Sequence, residues 1–202
     1  AAVFIIPNLI TGLGSFGIGP SIIYFSGRKI FNLWAIFYFS MLASFFLGLL
    51  YLIIFYSISD LMYDFVFTQR IDILFILSAS LIIPLNLLNK FSRAILRGLG
   101  KVNQFTISTI LFPTFLRLVL VLLLVVFFDQ AVQGAVIASL VSVLLSSILV
   151  LILVSYGLRK IKSKKHFLNF LQIRELMQYG LKSWLGSAVK KSDSGIIMLL
   201  VT

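Results

Sequence analysis

QGAVIASLVSVLLSSILVLILV, residues 133–154, runs twenty-two positions without a charged side chain. A helix needs about 20 apolar residues to cross the hydrocarbon core of a bilayer, whereas a helix on a soluble domain keeps a polar face toward water. The stretch is therefore predicted to span a membrane. Just upstream, LFPTFLRLVLVLLLVV (111–126) repeats the pattern with a single charge, Arg117, near its middle. Working outward in both directions, six predicted spans emerge at roughly 3–26, 31–57, 73–95, 104–128, 132–156 and 179–202. The last is the most polar, holding Lys182, Lys190, Lys191 and Asp193.

Composition points the same way. Of 202 residues, 60% are hydrophobic and 11% charged, and mean hydropathy is +1.12. Soluble domains carry about 25% charged residues. The expected fold class is all-α, a polytopic transmembrane helical bundle. There is no cysteine, so disulfides, thiolate metal sites and a cysteine nucleophile are excluded. The one histidine, His166, sits in a basic run, and no paired carboxylates or Ser/His/Asp set occur. The expectation is a protein that is not an enzyme and needs no metal or cofactor.

Net charge is +11, and its distribution sets the topology. Arg28 and Lys29 separate the first two spans, and Lys90, Arg93, Arg97 and Lys101 surround the third connection. Arg159, Lys160, Lys162, Lys164, Lys165 and Arg174 fill the fifth. The intervening connections are acidic, with Asp60, Asp64 and Asp72 in one and Asp129 in the other. Lys and Arg gather on the cytoplasmic side of membrane proteins, so the alternation runs the first span from outside to inside. It also accounts for the basic excess without nucleic acid. The chain opens with AAVF and closes with IIMLLVT, both within apolar runs, so it is expected to be a fragment with helices missing at either end. The segment GLRKIKSKKHFLNFLQIRELMQ (157–178) is the one long polar connection. Its second half spaces Phe167, Phe170, Leu171, Ile173 and Leu176 as an amphipathic helix on the inner membrane surface would.

Gly12, Gly14 and Gly17 spell the G-x-G-x-x-G of a dinucleotide site, but they lie in a span and no acidic residue follows at 30–40. With Ser15 and Gly19 they are expected to allow close packing or a local helix break. Pro7, Pro20, Pro84 and Pro113 all fall in predicted spans, where proline removes a backbone hydrogen bond. Ala131, Ala135, Ala138, Ser139, Ser142 and Ser146 form a small-residue packing ridge. Arginine at the bilayer centre costs about 2.5–3.5 kcal/mol on insertion scales. Arg117 is therefore expected to face a cavity and contact an anion, or else to pair with another helix. Lys182, Lys190 and Asp193 share one side of the last span, either lining water or snorkelling from the surface. Asn86, Asn89 and Lys90 form a polar patch at the cytoplasmic end of the third span, where Lys90 is expected to snorkel. Arg97 and Lys101 are expected to be inside-loop charges.

Several of these stretches, in this order, resemble the oligosaccharide flippases of polysaccharide biosynthesis, within the multidrug/oligosaccharidyl-lipid/polysaccharide exporter superfamily. They are FGIGPSIIYFSG (16–27), LRGLGKVNQF (96–105) leading into the span with Arg117, the fifth span, and LMQYGLKSWLGSAVKKSDSGIIMLLV (176–201). The resemblance covers nearly the whole chain. Two positions depart from the family pattern: Lys182 stands where a proline is common, and Ser194 where a basic residue often follows the aspartate. The resemblance implies a partial two-lobe, MATE-like exporter fold. Residues 1–156 would be first-lobe helices, 157–178 a basic cytoplasmic linker, and 179–202 the first helix of the second lobe. It further implies a flippase for polyprenyl-pyrophosphate-linked oligosaccharide in a bacterial or archaeal cytoplasmic membrane. Arg117, Lys182 and Lys190 would then hold substrate, and Asp193 would be a proton or counter-ion site. The implied partners are the lipid-linked oligosaccharide, membrane lipids and glycan assembly proteins. Two alternatives stand beside this reading: a drug or organic-cation exporter, and a membrane-embedded glycan polymerase or ligase.

Overall fold

A computed structural model of the chain describes residues 11–12, 14–66, 73–127, 131–159, 161 and 167–201. Side-chain surroundings are described for these except 55, 58–66, 73–79, 126, 131–132 and 187–201. Among the described residues the only regular structure is helical. We number the helices α1 (Ile18–Gly27), α2 (Leu33–Val66), α3 (Ile73–Gly98), α4 (Val102–Thr106), α5 (Phe112–Val121), α6 (Ala131–Arg159) and α7 (Phe170–Val201). Two wider π-helical turns, Ile107–Leu111 and Leu122–Phe127, make 102–127 one continuous helical run. The first of these turns directly precedes Pro113, whose ring and missing N–H are incompatible with a regular preceding turn.

Three segments are long and apolar enough to cross a membrane: Leu33–Ile54, Val102–Val125 and Gln133–Arg159. The arrangement of their side chains agrees. In α6, Ala138, Ser139, Ser142 and Ser146 are buried, while Leu144, Leu145, Ile148 and Ile152 are exposed. In α2, Phe45 and Phe46 are exposed and Ser40 and Ser44 are buried. Small hydroxyl residues turn inward, and several donate to a carbonyl of their own helix, as Ser142 Oγ does to Ser139 O at 2.8 Å. Many bulky side chains of the same helices turn outward, which water selects against and lipid tolerates. This is an all-helical membrane protein.

Helix α3 is the hub, packed against α1, α2 and α6. Its Ile83, Leu87, Phe91 and Ile95 are fully buried in a core shared with Ile22 and Phe25 of α1, Ile36 of α2, and Val150 and Val154 of α6. Close approach is built by glycine. A side chain at Gly48 of α2 would overlap Pro84 of α3, so the proline ring nests in the space that the glycine leaves. Helix α7 docks on α1 in the same manner. Gly17 and Gly180 touch backbone to backbone, Ser21 Oγ donates to Leu176 O at 2.8 Å, and Tyr24 stacks on Tyr179 with ring centroids 4.3 Å apart.

The boundaries differ from the predicted spans in three places, each with a physical reason. Helix α2 continues to Val66, past the apolar stretch that ends near 57, because a helix of about 51 Å outruns a hydrocarbon core of about 30 Å. Asp60 and Asp64 therefore stand on helix rather than in a loop. Helix α7 begins at Phe170 and runs without a break through the expected boundary at 178–179. Its early apolar residues divide: Leu176 is buried against α1, whereas Phe170 and Leu171 are exposed, as is Phe167 just before the helix. Finally, the first predicted span is interrupted. Residues 11–12 are helical, 14–17 form a turn, and α1 starts only at Ile18.

Candidate anion-binding cavity

That interruption shapes the candidate site. Phe16 and Gly17 both take positive φ, 43° and 71°, a left-handed conformation that only glycine enters without strain. A break in a membrane helix strands carbonyls that would each cost several kcal/mol if left unpaired in lipid. Two side chains from neighbouring helices receive them. Tyr51 Oη of α2 donates to Gly14 O at 2.7 Å. Lys90 Nζ of α3 donates to Thr11 O at 3.0 Å, to Gly12 O at 3.2 Å and to Ser15 Oγ at 2.7 Å. The glycine cluster thus produces a local break, and α3 supplies the cation that seals it.

Beside this seal lies an open cavity of about 520 Å³. One wall is residues 11–12 with α1, contributing Thr11, Gly12, Gly19, Pro20 and Ile23; the other is α3, and Phe105 also lines the cavity. The α3 wall holds Asn86, Asn89, Lys90, Arg93 and Arg97. At 100° per residue, Asn86, Lys90, Arg93 and Arg97 fall within an arc of about 60°. They form one polar stripe on a helix whose remaining faces are committed to the core. The lining includes no Asp or Glu.

Three cations on one stripe repel each other. At separations of about 6–10 Å and an effective dielectric of about 20, each pair costs roughly 2 kcal/mol. The Thr11 and Gly12 carbonyls offset part of that cost for Lys90, no carboxylate in the lining offsets the rest, and two polar atoms of the wall are left unpaired. Arg93 Nε is buried without a partner, and so is Asn89 Oδ1, although Asn89 Nδ2 donates to Ser147 Oγ of α6 at 2.9 Å. The Arg97 guanidinium lies 6.0 Å from the Phe105 ring centre, a weak cation–π contact. Orphaned buried donors are rare and mark places where a partner is expected. Here the orphaned donor of the wall is Arg93 Nε, part of a guanidinium whose planar fork matches phosphate or carboxylate; Asn89 Oδ1 is an acceptor.

The residues singled out from the sequence lie elsewhere. Arg117 on α5 is exposed, flanked by exposed Phe115 and Leu118, and does not line the cavity. Lys182 on α7 is exposed and also outside the lining. Lys190 and Asp193 ride on the helical backbone of α7, and their side chains lie outside the described ones. The sequence leads one to expect Lys90 to snorkel and Arg97 to be an inside-loop charge; in the structure both line the cavity. Their signal was the spacing Lys90, Arg93, Arg97, at i, i+3 and i+7, which puts three cations on one helical face. Among the described residues, no group of three or more His, Cys, Asp or Glu is placed to hold a metal. The chain matches no protein-family model, no curated protein and no solved structure.

Proposed function

We propose that this membrane protein flips a polyprenyl-pyrophosphate-linked oligosaccharide across the cytoplasmic membrane, for synthesis of a cell-surface polysaccharide such as O-antigen, capsule or exopolysaccharide. The observation that carries the reading is the α3 stripe of Lys90, Arg93 and Arg97, lining a cavity without a carboxylate. A lipid-linked pyrophosphate brings multiple negative charges that cannot enter hydrocarbon, and guanidinium pairs with phosphate oxygens bidentately. Asn86 and Asn89 add amide groups suited to sugar hydroxyls or phosphate oxygens. The order of motifs resembling oligosaccharide flippases supports the same reading, and a break in the first helix is the kind of element that alternating-access transporters place at their sites. Arg117, Lys182 and Lys190 belong to the proposal as further cations along the path, and Asp193 as a proton or counter-ion site. An organic-cation exporter would need an acid where this cavity presents three bases.

The test uses the full-length protein in liposomes with a labelled polyprenyl-pyrophosphate oligosaccharide. The readout is protein-dependent exposure of the label to an impermeant reagent. Wild type should expose the label, and Arg93→Ala/Arg97→Ala should reduce the rate at least tenfold, since each charged hydrogen bond contributes about 1.5–3 kcal/mol. Running the assay in zwitterionic and in anionic lipid separates substrate from headgroup. Flipping that is equally fast in the double variant removes the cavity from the path. Failure to flip any glycan, combined with efflux of cationic dyes, replaces the reading with a drug exporter.

A further inference from the structure

Lys90 takes part in two structures at once. Its ammonium ties the segment before α1 through Thr11 O, Gly12 O and Ser15 Oγ, and the same side chain lines the cavity beside Arg93 and Arg97. Thr11 and Gly12 are helical and stand just before the 14–17 turn, and their carbonyls converge on the ammonium. A cation is therefore well placed there. These acceptors are nonetheless neutral, and a phosphate oxygen is a stronger acceptor for an ammonium than a carbonyl is. The lysine stem is long and flexible enough to change partners without moving its backbone.

We propose that Lys90 is an anion-released clamp: a phosphate-type anion held by Arg93 and Arg97 draws the Lys90 ammonium out of the helix break and frees the 14–17 turn to move. The inference rests on the reading of this cavity as an anion site and adds the means by which occupancy reaches the helices. The freed turn ends at Gly17, which touches Gly180 of α7 backbone to backbone. Release of the break therefore loosens the seat on which α7 rests, held otherwise by the Ser21–Leu176 bond and the Tyr24–Tyr179 stack. Tyr51, donating to Gly14 O from α2, is neutral and outside the cavity lining, so its bond is indifferent to the anion.

The experiment is backbone hydrogen–deuterium exchange of the full-length protein in nanodiscs of zwitterionic lipid, with and without inorganic pyrophosphate. Two regions are followed, the α3 stripe around residues 90–97 and the turn at 14–17. Pyrophosphate should slow exchange on α3 and speed it about tenfold at the turn, the change expected from losing one charge-assisted bond. Lys90→Met should show fast exchange at the turn without any anion and no further response to it. Tyr51→Phe should raise the baseline at the turn yet keep the response to pyrophosphate. Protection of α3 with an unchanged turn overturns the clamp and leaves the anion site standing, as does a Lys90→Met turn that exchanges as slowly as wild type. No effect on either region, from pyrophosphate or from anionic lipid, overturns both the anion site and the clamp. Substituting anionic lipid for pyrophosphate tells whether a headgroup works the clamp as well: release under both supports it, and release by headgroup alone reassigns its ligand.

Discussion

The wall between α1 and α3 and the outer helical run at 102–127 both carry arginine in a largely apolar protein, and the protein treats them in opposite ways. Arg93 is half-buried, with its Nε enclosed and unpaired, on the helix around which the others pack. Arg117 is exposed on a segment of which only 6% is buried, among exposed Phe115, Leu118 and Val119. In the first case neighbouring helices shape a cavity around the charge; in the second they leave it on the periphery. The difference teaches that depth along a span and depth within the bundle are separate coordinates. Hydropathy reports the first alone. Arg117 lies deep along its span yet sits on the rim of the bundle, whereas Lys90, Arg93 and Arg97, near the end of theirs, line its interior.

The largest expected effect lies in the inner region. Gly17→Ala would put a methyl onto the Gly180 carbonyl at a residue with φ of 71°. Backbone strain and overlap together should cost about 3 kcal/mol or more, seen as a strongly lowered melting temperature or loss of monodisperse protein in detergent. Phe115→Ala on the outer run, where the ring is 70% exposed, should move the melting temperature in lipid very little. Equal sensitivity at the two positions would break the comparison.

Next come the charges of the inner wall. Arg93→Ala should weaken pyrophosphate binding about 10- to 100-fold by titration calorimetry, while relieving repulsion and so leaving stability unchanged or raised. Arg117→Ala should leave that affinity unchanged. Smaller again is Tyr51→Phe, which removes the hydroxyl that donates to Gly14 O. Leaving that carbonyl unpaired should cost about 1–3 kcal/mol, read from thermal unfolding. No loss would mean that another donor reaches Gly14.

How much of this was legible in the sequence follows from the same two coordinates. Apolar blocks reveal helices because lipid demands length and hydrophobicity together, so α3, the 102–127 run and α6 fall close to their predicted places. Most of the small-residue ridge of α6 was legible too: Ala138, Ser139, Ser142 and Ser146 are buried and Ala135 half-buried, while the side chain of Ala131 lies outside the described ones. The glycine cluster announced a local break or close packing, and the structure has both, the turn at 14–17 and the Gly17–Gly180 contact. The partners of the break were not legible. Lys90 meets Thr11 across seventy-nine positions of chain, a pairing that depends on how α3 crosses α1. The stripe of three cations was in plain view at i, i+3 and i+7, but charge at the end of a span has an ordinary explanation in the loop rule. That explanation considers residues one at a time and does not ask which face they share.

Arg117→Leu is the substitution with the smallest expected effect on stability and the one that most sharpens the comparison. A charge near the bilayer centre carries a penalty of about 2.5–3.5 kcal/mol on insertion scales, reduced by snorkelling and local water. On a lipid-facing surface, exchanging it for leucine removes that penalty and breaks no described interaction. The melting temperature in nanodiscs should therefore stay level or rise slightly. Flipping is the second readout, and it separates two meanings of exposure. A stable Arg117→Leu protein that flips at the wild-type rate makes the position part of the lipid-facing rim and leaves Lys90, Arg93 and Arg97 as the working cations. A protein equally stable but slower, rescued by Arg117→Lys, gives this arginine contact with the moving anion and extends the path from the inner cavity out to α5.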